Sequence, residues 1–248
     1  MEEALRSLRQ QRVRMLLINL VYFLALLGLG VWIFLRDGAG AAGFLLAAVC
    51  AAAYLVLVRP VRQRYLTSLR REILCRGVCR QLTDVRYEPR GGVPADRVQA
   101  AFPFGSAEAF MSREHLTGRM GALEAELADV TFPFVEGKRN AMFSGVFLQL
   151  TWPGSAFAPL SVDAGSREGL DLPRAQLELI EQLDAFVPGS LYLRAGGETL
   201  TLLLRGRFLG FRINPLMTVH ERTLEDNPLP ELDQAIRLTQ LMRLGRRT

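Results

Sequence analysis

Two uncharged apolar runs near the start of the chain limit its fold more than any other feature. Met15 to Leu35 is 21 residues without a charge, with Asn19 its one strongly polar residue. Arg36-Asp37-Gly38 interrupts it, and Ala39 to Val58 adds 20 uncharged residues rich in Ala and Gly. At about 1.5 Å of helical rise per residue, either run spans the roughly 30 Å of bilayer hydrocarbon. The link between them allows only a tight hairpin. A cleaved leader has a shorter apolar core and is not followed at once by a second apolar run. A buried soluble helix is rarely apolar on every face for so long. The expectation is a transmembrane helical hairpin over residues 15–58, with 1–14 as a short N-terminal segment.

The arginines orient that hairpin. Arg6, Arg9, Arg12 and Arg14 precede the first run, Arg59, Arg62, Arg64, Arg70 and Arg71 follow the second, and the turn holds only Arg36 beside Asp37. The positive-inside rule then puts both flanks, both termini and the main domain in the cytoplasm of a cell whose inner membrane holds the anchor. Residues 1–82 carry a formal charge of +8 and residues 83–248 carry −3, so the basic balance belongs to the membrane flanks. A mildly acidic soluble part argues against nucleic-acid binding, which needs its own basic face. Three cysteines, one of them in an apolar run, make no disulfide framework and fit a reducing compartment.

In the second run Gly43, Ala47 and Ala51, with Ala48 and Ala52, repeat small side chains at four-residue spacing. Such spacing allows close helix approach, either to the first helix of the same chain or to a second copy in a homo-oligomer. Residues 59–83 read as a basic juxtamembrane helix. Val61, Tyr65, Leu69, Ile73 and Leu74 follow its apolar stripe, and arginines occupy much of the rest. Arg59, Arg62, Arg64, Arg70 and Arg71 are therefore candidate contacts to anionic lipid headgroups, although retention on the inner side alone would also place them.

From Tyr87 the texture changes to short segments separated by Gly and Pro. Phe143 to Trp152 is β-rich and apolar enough for burial on both sides. Ser190 to Arg205 predicts a hairpin around Gly196-Gly197, and Phe208 to Ile213 a further strand. Ala122 to Val130 has helical composition but alternates like a half-exposed strand; the preceding glycines and Pro133 favour strand. Arg174 to Val187 and Glu231 to Leu244 predict helices, the first burying a stripe that includes Phe186, the second opening behind Pro228 and Pro230. The expected fold class is α+β: a largely antiparallel sheet with helices on one side, over residues 84–248.

This order of elements resembles a known family. Two apolar runs, a basic helix and Tyr87-Glu88-Pro89 precede an LTGRMGALEAELADV strand pair. The Phe143 to Phe147 strand, a helix, a Leu-Tyr-Leu hairpin and a C-terminal helix follow. Over roughly residues 15–245 the chain resembles the bacterial domain-of-unknown-function family 3137. The resemblance implies a two-helix anchor with a cytoplasmic α+β domain, and no activity, substrate or site. The segment from Asp163 to Pro173 is shorter than that family's pattern implies.

Chemical signatures are sparse. The sequence has no Gly-x-Ser-x-Gly elbow, phosphate-binding Gly-x-x-x-x-Gly-Lys, His-Glu-x-x-His or dinucleotide glycine fingerprint. Cys75 and Cys79 share a helix face, but with only His115 and His220 to complete a site they read as packing residues, and neither metal nor cofactor is expected. Either histidine could serve as a general base. Glu124, Glu126 and Asp129 could meet a cation, but alternating acids on a strand usually form its solvated face. Two function classes remain. The favoured one is a membrane-tethered, non-enzymatic module that binds or scaffolds a cytoplasmic protein. The other is a membrane-bound hydrolase or transferase with an unrecognised site.

Overall fold

In the computed structural model the described residues are 2–37, 48–50, 52–78, 81–103, 109–136, 139–163, 172–186, 191–207, 209 and 229–244. The chain divides into two compact units. The first comprises Met1–Ile73 and Arg212–Glu225, the second Leu74–Phe211 and Asp226–Thr248.

The first unit opens with helix α1 (Glu2–Asp37), in which Arg6–Trp32 is long and apolar enough to cross a membrane. Only 6% of its most apolar stretch is buried within the molecule, and Leu17, Val21, Phe23, Leu24, Leu27 and Val31 lie exposed. Apolar surface left uncovered in this way is compatible with an apolar surrounding. Of the second run, residues 48–50 and 52–58 are described, and all are helical. Residues 54–58 widen to a π-helical turn (Tyr54–Val58), which continues into α2 (Arg59–Val78). The expected turn at residue 38, with Gly43, Ala47 and Ala51, lies outside the described residues. Tyr22 donates its hydroxyl to the Cys50 carbonyl and packs 5.7 Å from the Tyr54 ring. Further along, burial pushes the Tyr65 phenol up in pKa while the Arg12 guanidinium opposes the rise. As residue numbers fall along α1, those of its partners rise. The α2 stripe follows the expected spacing, with Tyr65, Leu69, Ile73 and Leu74 buried.

The second unit is a seven-stranded antiparallel sheet in the order β1-β2-β3-β4-β7-β6-β5. The strands are β1 (Thr83–Glu88), β2 (Met111–Met120), β3 (Leu123–Glu136), β4 (Arg139–Thr151), β5 (Phe157–Val162), β6 (Leu191–Gly197) and β7 (Thr199–Arg205). Helices α3 (Ala95–Ala101), α4 (Arg174–Phe186) and α5 (Pro230–Leu244) complete it. Strand alternation divides the core in two. On one face Leu127, Leu148, Leu202 and Leu193 join Leu179, Ile180 and Leu183 of α4 and Leu232, Ile236 and Leu238 of α5. Leu74 and Val78 at the end of α2, with Leu82, belong to this same core. On the other face Ala128, Phe147, Leu203 and Tyr192 pack with Val98 of α3 and with Phe102.

Several expectations change. The helices are not confined to one side, because the seven-residue α3 closes part of the second face. The segment beginning at Ala122 is strand, but it runs past Pro133 to Glu136. Beyond Thr131 it has no β2 partner, which is where a strand tolerates proline. The β6–β7 turn centres on Gly197-Glu198, because Gly196 is already paired with Thr199. Gly197 supplies the positive φ of 57°. Phe186 is exposed rather than buried. Of the strand expected at Phe208 to Ile213 only Leu209 is described; it is buried and donates its N–H to Asp129 at 2.6 Å.

Candidate functional site

The second face of the sheet is apolar along one half and polar along the other. Register pairs show how this arises. Arg86, Thr117, Glu126, Gln149, Thr201 and Arg194 stand opposite one another in succession across six strands. A parallel row carries Thr83, Arg119, Glu124, Thr151 and Thr199. The next row inward is Ala128, Phe147, Leu203 and Tyr192, the apolar half that Val98 and Phe102 cover. The period of two along each strand therefore repeats one chemical boundary across the sheet.

The β1–β4 part of the polar half forms a cleft of about 590 Å³. Asp84 and Arg86 border it from β1, Thr117 and Arg119 from β2, Glu124 and Glu126 from β3, and Gln149 and Thr151 from β4, with Arg97 reaching in from α3. Glu126 is the most connected group. It accepts a hydrogen bond from Arg97 and lies 2.9 Å from His115 Nε2. The His115 hydrogen bond, helped by Arg97, holds its carboxyl below the usual glutamate range against the opposing effect of burial. Arg119 donates to Glu124 at 2.8 Å in a pair open to solvent.

Two irregularities position these groups. Between Arg113 and Leu116, β2 holds one residue more than β3 opposite it, a bulge whose extra residue is Glu114. Glu114 takes a left-handed φ of 58°, is buried, and accepts a hydrogen bond from Tyr87. The bulge keeps Leu116 on the core face and turns His115 toward Glu126. A second irregularity, between Thr83 and Arg86, surrounds Asp84 with its φ of 53°. Strained non-glycine residues of this kind collect where a strand must re-aim a side chain.

The expected candidates separate. Glu124 and Glu126 share the cleft, but Asp129, an odd number of residues away, lies buried on the other face. The three acids therefore form no common cation site. Cys75 is half-buried against the main core, while Cys79 and His220 lie outside the described residues. Among the described residues, no group of three His, Cys, Asp or Glu side chains is placed to hold a metal ion. Of the α2 arginines, Arg59, Arg62, Arg64 and Arg71 are exposed and Arg70 is half-buried.

The cleft residues that sequence reasoning missed are Asp84, Arg86, Arg97, Thr117, Arg119, Gln149 and Thr151. A weak signal was present. Gln149 and Thr151 are polar residues two apart within an apolar strand, and Thr117 and Arg119 repeat that spacing. Chemically, the cleft carboxylates Glu124 and Glu126 each have a cationic partner, and the described lining residues include no serine or cysteine nucleophile. The arrangement offers donors and acceptors of both signs over a broad surface. Comparisons with protein families, with curated proteins and with solved structures find no match.

Proposed function

We propose that this chain is a membrane-anchored binding module whose polar half-face docks a cytoplasmic protein. The carrying observation is the division of the second sheet face: one half is sealed by Val98 and Phe102, and the other presents paired charges, hydroxyls and an amide. Docking surfaces of non-obligate complexes have a comparable mixture of charges and polar groups.

In this reading residues 15–35 and 39–58 both cross the inner membrane, and both termini and the sheet domain are cytoplasmic. The opposite-order contacts of Tyr22 and Arg12 support a second helix returning beside the first. The arginine asymmetry supports the orientation. Arg59, Arg62, Arg64, Arg70 and Arg71 lie beside anionic headgroups. The order of elements supports membership of the bacterial domain-of-unknown-function family 3137, and small residues in the second run support close packing with the first helix or with a second copy.

The test compares proteins co-purifying with the detergent-extracted full chain and with Arg97→Glu and Arg119→Glu variants. The expected result is selective loss of a defined partner from both variants while membrane extraction and fold are unchanged. An identical partner set for all three proteins would reject docking through this face. A second reading, a membrane-bound hydrolase or transferase, draws on the His115–Glu126 pair, since a carboxylate that orients a histidine is a general-base arrangement. Turnover of an ester or phosphoester that stops in His115→Gln would favour it.

A further inference from the structure

A second concavity lies on α1, at the point where the charged segment meets the apolar run. It is an open groove of about 650 Å³ lined by Arg9, Gln10, Val13, Arg14, Leu17 and Ile18. The six residues fall on two adjacent helix ridges at four-residue spacing, 9-13-17 and 10-14-18. Arg9 heads one ridge and Arg14 interrupts the other, while Val13, Leu17 and Ile18 continue downward as an apolar track. Arg9, Val13, Arg14 and Leu17 are all exposed. Among the described residues the lining contains no acidic side chain, and neither arginine has an acidic partner.

We infer that this groove binds one anionic glycerophospholipid of the inner leaflet, with its phosphate held by Arg9 and Arg14 and an acyl chain laid along Val13, Leu17 and Ile18. The inference rests on residues 15–35 crossing the bilayer, which brings Arg14 to the edge of the hydrocarbon. Arg9 then stands about 7–8 Å further out, at headgroup level. Guanidinium groups suit phosphate because they donate in a planar fork, and the arginine stems themselves lie along apolar surface. A second copy of this face is a poor occupant, since four arginines would then meet without a counter-charge.

The full chain would be reconstituted in vesicles of equal phosphatidylglycerol and phosphatidylcholine, extracted in mild detergent, and weighed intact by native mass spectrometry. The wild type should retain phosphatidylglycerol over phosphatidylcholine by on the order of tenfold, given two surface arginines. Arg9→Gln with Arg14→Gln should abolish the preference. Val13→Trp keeps both arginines but fills the groove, and should abolish it too. Arg174→Gln, at an exposed arginine of the sheet unit, should leave it intact. Retention of the preference in either groove variant, or its loss in the Arg174 variant alone, overturns the site. Carbonate extraction run in parallel separates the two readings. Release of the wild type from the membrane contradicts the anchor itself. An integral chain whose groove variants bind lipid like the wild type contradicts the lipid site alone.

Discussion

Glu126 and Gly145 carry residue-scale predictions of opposite kinds. Glu126 is held below its ordinary pKa by His115 and Arg97. A carboxylate depressed in this way contributes stability at pH values above the ordinary glutamate pKa of about 4.3, and the contribution is lost as pH falls through the folded-state value. Glu126→Gln should therefore cost on the order of 1 kcal/mol near neutral pH, an amount kept small by the partial exposure of Arg97. The difference from wild type should close in acid; denaturant titrations at the two pH values check it, and a gap that persists in acid would contradict the assignment. At Gly145 the constraint is steric. A Cβ there would lie 2.1 Å from the Leu204 carbonyl oxygen and 3.0 Å from the Arg205 Cα, both backbone atoms of the paired strand β7. Gly145→Ala should destabilise the domain by at least about 3 kcal/mol, measured by thermal or urea unfolding. Neither residue's role was legible from sequence. Phe-Ser-Gly-Val-Phe marks a strand without showing which backbone approaches its glycine. Glu124, Glu126 and Asp129 read as one acidic set until the ladder put Asp129 on the other face.

At the scale of elements, legibility followed the strength of the periodic signal. Leu200, Leu202 and Leu204 lie in a strongly buried central strand, and α2, α4 and α5 bury regular stripes, so all of these could be read directly. β1 has only Tyr87 buried, β5 contains Pro159, and α3 is seven residues long; none presents enough apolar repeats to stand out. The polar half of the second face was hidden for a different reason. Its residues come from strands far apart in sequence, and only the register aligns them. The boundary between anchor and domain carries the element-scale prediction. Leu74, Val78 and Leu82 are fully buried in the sheet core. Removing a buried Leu or Val side chain costs roughly 2 kcal/mol or more. A soluble fragment starting at residue 72 should therefore unfold cooperatively, while one starting at residue 84 should be less stable by several kcal/mol or fail to fold. Equal stability of the two fragments in urea would show that the end of α2 is dispensable.

At the scale of the whole molecule, apolar exposure and charge asymmetry combine into one picture. α1 leaves Val21, Phe23, Leu24 and Leu27 uncovered, while the unit beginning at Leu74 buries Leu127, Leu148, Leu193 and Leu202 in a common core. Residues 1–82, which include the apolar runs, carry a formal charge of +8, and residues 83–248 carry −3. In the proposed account a bilayer surrounds the first part of such a chain and water the second. The most direct test of that account is a set of alkaline phosphatase fusions at residues 38, 82 and 248, scored in intact cells. The account predicts activity at residue 38 and none at 82 or 248, where fluorescent-protein fusions should instead light up. Phosphatase activity at residue 82 or 248 would contradict it.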